Sequence, residues 1–207
     1  MAHFVLVHGA WHGGWCWRWV TEELEERGHD VDAPDLPSDA VGKTARDYAA
    51  VIGPQRDAIV VGHSLGAQSV SLVEAKLRVY VGGLLPVGGA HSLAFTDSFG
   101  GFVRDADGCS YWPDVDTCAV RMYPDCTRSQ VEWAFPQLRR QAPLTAVSAS
   151  LCKHDQVIVT TNDVVLDPDW QLGKARERHA RITCLDAGHF PMLTKPDELA
   201  DVLDDLA

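Results

Sequence analysis

Short apolar runs, each closed by glycine or proline and followed by a stretch of helical periodicity, recur along the chain. Residues 4–7 (Phe-Val-Leu-Val) carry no polar side chain and stop at His8-Gly9; residues 58–61 (Ala-Ile-Val-Val) stop at Gly62. A run that is apolar at every position has no solvent face. It suits a strand covered on both sides, as in a parallel sheet. Further strands are expected at 31–36, 79–85, 157–160 and 182–185. Between them, Trp17, Val20 and Leu24 fall at i, i+3 and i+7 ahead of Gly28, the spacing of one helix face. Helices are also expected over 44–51, 67–77, 168–179 and 196–206. Strand and helix alternating with short connections predict an α/β fold, a mostly parallel sheet flanked by helices.

The alternation breaks once. Residues 88–142 are irregular and rich in Gly, Asp and Pro, and only 129–140 has a helical pattern. They read as a small cap inserted into a core made of 1–87 and 143–207. The insertion leaves the sheet beyond a strand's C-terminal end, where such sheets place their ligand crevice. Its aromatics, Phe95, Phe99, Phe102, Tyr111, Trp112, Tyr123, Trp133 and Phe135, either line that crevice or form the cap's own small core.

Composition excludes several classes of function. With 207 residues, 46% of them hydrophobic, the chain supports one domain with a sizeable core. The net charge is −11 and no block of Lys and Arg stands out, so neither nucleic acid nor an anionic membrane is an expected partner. No apolar run approaches the roughly 20 residues of a spanning helix. The N-terminal residues read as a strand entering the fold, not as a signal peptide, so a cytoplasmic location with reduced thiols is expected. The six cysteines form no C-x-x-C pair, so no structural metal is expected. A bridge among Cys109, Cys118 and Cys126 stays open. The expected partner is a small-molecule substrate, and a homodimer is compatible with the sequence.

The chemistry concentrates at Gly62-His63-Ser64-Leu65-Gly66, a G-x-S-x-G match between an apolar strand and a helix. A very tight turn there needs glycines two before and two after the serine, where Cβ atoms would clash. Such a turn holds a serine hydroxyl above the sheet, so Ser64 is the candidate nucleophile. The N–H of Leu65 and an N–H of the glycine-rich loop after the first strand, best Ala10, are the candidate oxyanion donors.

In this arrangement an acid and then a histidine follow the serine. His8, His12, His63 and His91 precede any plausible acid. His189, in Asp186-Ala187-Gly188-His189, sits just past a late strand and is the candidate base. Asp155 precedes its strand and so lies at the wrong end of the sheet. Asp167 before Pro168 reads as a helix N-cap, and Asp169 falls in the first helical turn. Asp163 is left as the acid that orients His189. No metal or organic cofactor is needed. Trp11, Trp112 and Phe190 are candidates to line the substrate pocket.

Together, His8-Gly9-Ala10-Trp11-His12-Gly13-Gly14-Trp15, the Ser64 motif and Asp186-Ala187-Gly188-His189 resemble the α/β-hydrolase superfamily. The resembling branch holds plant methylesterases, bacterial carboxylesterases and hydroxynitrile lyases. Thr161-Asn162-Asp163 followed by Trp170-Gln171 is similar to that branch's acid loop. The resemblance implies an esterase-like enzyme, with lyase, ring-closing or ligand-sensing proteins as alternatives. It also implies that two edge strands of the full fold are lacking. Ser64 excludes the aspartyl nucleophile of related epoxide hydrolases. Hydroxynitrile lyases of this branch carry threonine after the first histidine and lysine after the catalytic one; Gly9 and Phe190 stand there in this chain.

Overall fold

A computed structural model describes residues 1–85, 100–145 and 153–207. Among them, six parallel strands form one sheet: β1 (His3–Val7), β2 (Asp30–Asp32), β3 (Gln55–His63), β4 (Ala75–Val81), β7 (Gln156–Thr160) and β8 (Arg181–Leu185). Their spatial order is β2-β1-β3-β4-β7-β8. β2 ends one edge of the sheet, and no further strand pairs outside it among the described residues. Phe4, Leu6, Ile59, Val61, Val79 and Ile158 are fully buried, as runs apolar at every position require. Helix α1 (Arg18–Glu26) packs on the C-terminal helix Pro196–Asp204, and α2 (Ala45–Ile52) packs on α3 (Gly66–Val70).

Three expected elements come out shorter, each for a local reason. The helix expected over 67–77 stops at Val70, and Leu77 instead pairs with Ile59 inside β4. The Ser71 hydroxyl donates to the Gln68 carbonyl and Arg78 Nη1 donates to the Ser71 carbonyl, so side chains take acceptors that a longer helix would use. The strand expected over 31–36 pairs only through Asp30–Asp32. Beyond it Pro34 lacks an N–H, and the Leu36 N–H donates to His8 Nε2 instead of a ladder. The helix expected over 129–140 is Arg128–Ala134 with one 3₁₀ turn, Phe135–Gln137, ended around Pro136.

The described part of the 88–142 segment is more regular than its sequence suggests. It holds a two-strand hairpin, β5 (Val103–Arg104) with β6 (Ser110–Tyr111), and helix α4 (Val115–Arg121) ahead of α5 (Arg128–Ala134). Asp114 caps α4 by accepting the Thr117 N–H at 2.7 Å, and Thr127 and Gln130 form a capping box on α5. Cys109, Cys118 and Cys126 are free thiols. Burial pushes Cys118 and Cys126 up to about 12, which makes them poor nucleophiles. Phe95, Phe99 and His91 lie outside the described residues. No described helix is long and apolar enough to cross a membrane.

Candidate active site

Because β1, β3, β7 and β8 run parallel, the segments following each emerge at the same edge of the sheet. Ala10 follows β1, Ser64 follows β3, Asp163 follows β7 and His189 follows β8. Four segments far apart in sequence therefore meet above one row of strand ends.

At Ser64 the backbone is left-handed, with φ +47, an unfavourable region for a residue with a Cβ. The flanking glycines make the turn feasible. A Cβ on Gly66 would lie 2.5 Å from the His8 carbonyl oxygen, and one on Gly62 would lie 2.8 Å from Val70 Cγ2. Backbone bonds hold the turn: the Ser64 N–H donates to the Val81 carbonyl and the Leu84 N–H to the Ser64 carbonyl.

Ser64 Oγ lies 3.0 Å from His189 Nε2, and His189 Nδ1 lies 2.7 Å from Asp163 Oδ2. A carboxylate only accepts, so Nδ1 carries the imidazole proton and Nε2 can receive the serine proton. Asp163 divides its oxygens between two duties. Oδ1 accepts the N–H groups of Val165 and Leu166, each at 2.8 Å, which closes the loop after β7. Oδ2 takes His189, the Thr160 hydroxyl at 2.8 Å and Gln171 Nε2 at 3.2 Å. Burial by itself would raise this carboxyl. The facing His189 and the donated hydrogen bonds outweigh it and hold Asp163 below the ordinary carboxylate range. The rejected acids have structural partners: Asp167 accepts the Asp169 N–H as an N-cap, and Asp155 forms a two-point ion pair with Arg78 at 2.9 and 3.2 Å.

Ala10 and Leu65 are both buried, and neither N–H meets an acceptor among the described residues. The peptide carrying the Ala10 N–H is fixed from its other end: His8 Nδ1 donates to the Gly9 carbonyl at 2.8 Å while His8 Nε2 accepts the Leu36 N–H at 2.9 Å. In a trans peptide the N–H points away from that carbonyl. Gly9 runs so close to Ser64 that a Cβ there would lie 2.9 Å from Ser64 Cβ.

The three pocket candidates part company. Trp11 holds the loop to β6 through Nε1, which donates to Ser110 Oγ at 3.0 Å. Trp112 meets Trp11 edge-on at 5.5 Å and also lines a surface cavity of about 440 Å³ with Tyr111, Phe135 and Leu138. None of Ser64, Asp163 and His189 borders that cavity. Phe190 is buried among the rings of His12, His63, Tyr123 and His189, at 4.7 to 5.0 Å, and braces the imidazole.

Several groups around the site were not legible as such. Gly82, with φ +47, lies under the His189–Asp163 contact, where a Cβ would stand 3.4 Å from Asp163 Oδ2. Thr160 and Gln171 hold Asp163, and Asp125, between α4 and α5, accepts the Gly188 N–H at 3.0 Å. His63 donates Nε2–H to the His189 carbonyl at 2.8 Å. For Gly82 a signal existed, a glycine at the end of a strand beside the serine strand. Thr160 and Gln171 are only three and eight residues from Asp163, and Gln171 stands in the acid-loop motif, but no local pattern says that their side chains turn to the carboxylate. The Asp125 and His63 contacts span 63 and 126 residues.

The family model described as the alpha/beta hydrolase family matches residues 4–202. The chain belongs to the alpha/beta hydrolase family. Among this hydrolase's relatives, norfluorocurarine synthase 2 of Strychnos nux-vomica and methylesterase 7 of Arabidopsis thaliana are each 27% identical to it, over 99% of this chain and 95% of theirs. The crystal structure of polyneuridine aldehyde esterase superposes with a TM-score of 0.81 at 20% identity, covering 100% of this chain and 99% of that one. The alignment to the synthase runs over 259 positions against 207 residues here, so this hydrolase is gapped over some 50 of them.

Burial keeps the neighbouring histidines neutral in this hydrolase: it lowers His8 to about 4, His12 to about 3 and His63 well below its ordinary value. The acid limb of kcat/KM for a p-nitrophenyl ester is therefore expected to follow a single proton. Activity is expected to rise with pH along that limb, with no contribution from His8, His12 or His63. A limb of slope two on logarithmic axes would show a second histidine at work.

Proposed function

We propose that this protein hydrolyses a small, largely apolar, uncharged carboxylic ester through an acyl-enzyme on Ser64. The observation that carries the reading is the continuous hydrogen-bonded chain Ser64–His189–Asp163, at 3.0 and 2.7 Å. In this mechanism Ser64 Oγ attacks the ester carbonyl carbon and its proton passes to His189 Nε2. The tetrahedral oxyanion is met by the N–H groups of Ala10 and Leu65, a contribution of about 3 kcal/mol each. Collapse expels the alcohol, which takes the proton from Nε2. Water then repeats the sequence on the acyl carbon, releasing the acid and restoring Ser64. Asp163 keeps the productive tautomer and stabilises the imidazolium. Relatives named methylesterase 7 and polyneuridine aldehyde esterase support ester hydrolysis. The synthase relative supports a second reading, in which the same three residues act as acid–base machinery for a lyase or ring closure.

A substrate panel separates the two. Hydrolysis of p-nitrophenyl acetate or butyrate is expected, with no cyanide released from mandelonitrile or acetone cyanohydrin above background. Cyanohydrin cleavage needs charge for the departing cyanide, and an uncompensated anion in an apolar site is costly. Phe190 supplies no charge, and Gly9 supplies no hydroxyl. Any side chain at position 9 would press on Ser64 Cβ and His63 Nδ1, 2.9 and 3.0 Å from its Cβ. Cyanide release faster than ester hydrolysis would overturn the choice. Failure on every ester with Ser64 still reactive would favour the second reading.

A further inference from the structure

His12 is fully buried beside the site yet contacts none of Ser64, Asp163 and His189 through a hydrogen bond. Its Nδ1 lies 2.7 Å from the Ala10 carbonyl oxygen and its Nε2 lies 2.6 Å from the Tyr123 hydroxyl. The carbonyl can only accept, so Nδ1 carries the proton; Nε2 must then accept, and Tyr123 donates. Trp15 and Phe190 stack on the ring at 5.1 and 4.9 Å, within 28° of parallel. Ring orientation and tautomer are thus both set by neighbours: the Ala10 carbonyl fixes the tautomer, and the Tyr123 hydroxyl of the cap donates to the remaining nitrogen.

What this holds is the oxyanion loop. His8 fixes the Gly9 carbonyl and His12 fixes the Ala10 carbonyl, so both peptide planes that meet at the Ala10 Cα are pinned. The next residue, Trp11, has φ +64, a conformation a bulky side chain adopts only when its surroundings over-determine it. The cap also supplies the Arg139 N–H, which donates to the Trp11 carbonyl at 2.7 Å. We propose that His12 is a positioning residue for the oxyanion pocket, holding the Ala10 peptide in place while Tyr123 of the cap anchors the other end of its ring. The inference rests on the ester-hydrolase reading. It makes seating of the cap a condition for a formed oxyanion pocket.

Four variants test it, with kcat and KM on p-nitrophenyl butyrate, the inhibition constant of an alkyl boronic acid and Tm as readouts. The boronic acid forms a tetrahedral adduct on the serine and so senses the oxyanion pocket. His12→Phe keeps a stacked ring but loses both hydrogen bonds; kcat is expected to fall about 10²-fold, the scale of an ångström-level misplacement. KM stays within a few-fold, and boronate affinity falls in step with kcat. His12→Asn places an amide where Nδ1 stood and recovers most of the loss; His12→Gln reaches toward Tyr123 instead and does not. A merely structural role lowers Tm without this pattern. Unchanged kcat in folded His12→Phe and His12→Gln overturns the proposal, as does a loss confined to KM or a His12→Asn no better than His12→Phe. If the His12 variants do not fold, Tyr123→Phe decides: kcat and boronate affinity fall together about tenfold, the scale of one hydrogen bond, or the proposal is wrong. Should the parent hydrolyse no ester yet react with a fluorophosphonate at Ser64, the function reading fails alone, and relative labelling rates replace kcat; equal rates overturn the inference. A parent that neither hydrolyses nor labels overturns both.

Discussion

Ser64→Ala is expected to lower kcat on p-nitrophenyl butyrate about 10⁶-fold, the scale seen when a serine nucleophile acting within a triad is removed. Fluorophosphonate labelling is lost with it. The fold should persist, because the turn is held by the backbone bonds of Ser64 to Val81 and Leu84, which alanine keeps. Ser64→Gly is a useful companion. It is equally inactive, but glycine adopts the left-handed conformation at φ +47 without a Cβ penalty. It is therefore expected to gain about 1 kcal/mol of stability, which for a chain of this size raises Tm by roughly 2–4 °C. Inactivity and added stability in one variant would show that strain at this position serves placement of the hydroxyl. Persistent labelling in Ser64→Ala would remove Ser64 from the mechanism.

The second large effect is at the acid. Asp163→Asn is expected to lower kcat about 10⁴-fold, because the amide favours the His189 tautomer with its proton on Nε2, where it cannot accept from Ser64. The change is also expected to cost stability. Oδ2 accepts from His189, Thr160 and Gln171 at once, and an amide NH₂ in its place faces donors. A destabilisation of about 1–3 kcal/mol is expected, the cost of buried polar groups left without partners. Asp167→Ala is the control. It removes the Asp167 cap on the helix Pro168–Glu177 and should cost about 1 kcal/mol while leaving most activity. Chemical denaturation and steady-state kinetics on both variants check the pair; the reverse pattern would make Asp167 the acid.

Gly82 shows why parts of the site were hard to see in advance. Its lack of a side chain matters only because β4 runs beside both β3 and β7, which brings the residue after β4 under Asp163. The helix expected over 67–77 makes the same point from the other side. Val70 and Val73 have helical spacing, but Arg78, reaching back from β4, takes the Ser71 carbonyl and the chain turns.

What the sequence determined by itself was whatever depends on local geometry and chain direction. Apolar runs of four residues with no polar face mark strands buried on both sides. Glycines bracketing Ser64 mark a turn too tight for Cβ atoms. Parallel strands oblige the segments after them to meet at one edge, so serine, acid and histidine could be placed by their position after a strand. What only the tertiary structure decided is how those groups are held. Tyr123 is 111 residues from His12, and Asp125 is 63 residues from Gly188. Their pairing follows from the packing of residues 100–145 against the loops after β1 and β8, and no local period or spacing encodes that contact. The same holds for the His8 and His12 rings: as residues they are two histidines in a glycine-rich loop, and only burial, tautomer and facing acceptor make them the frame of the Ala10 peptide.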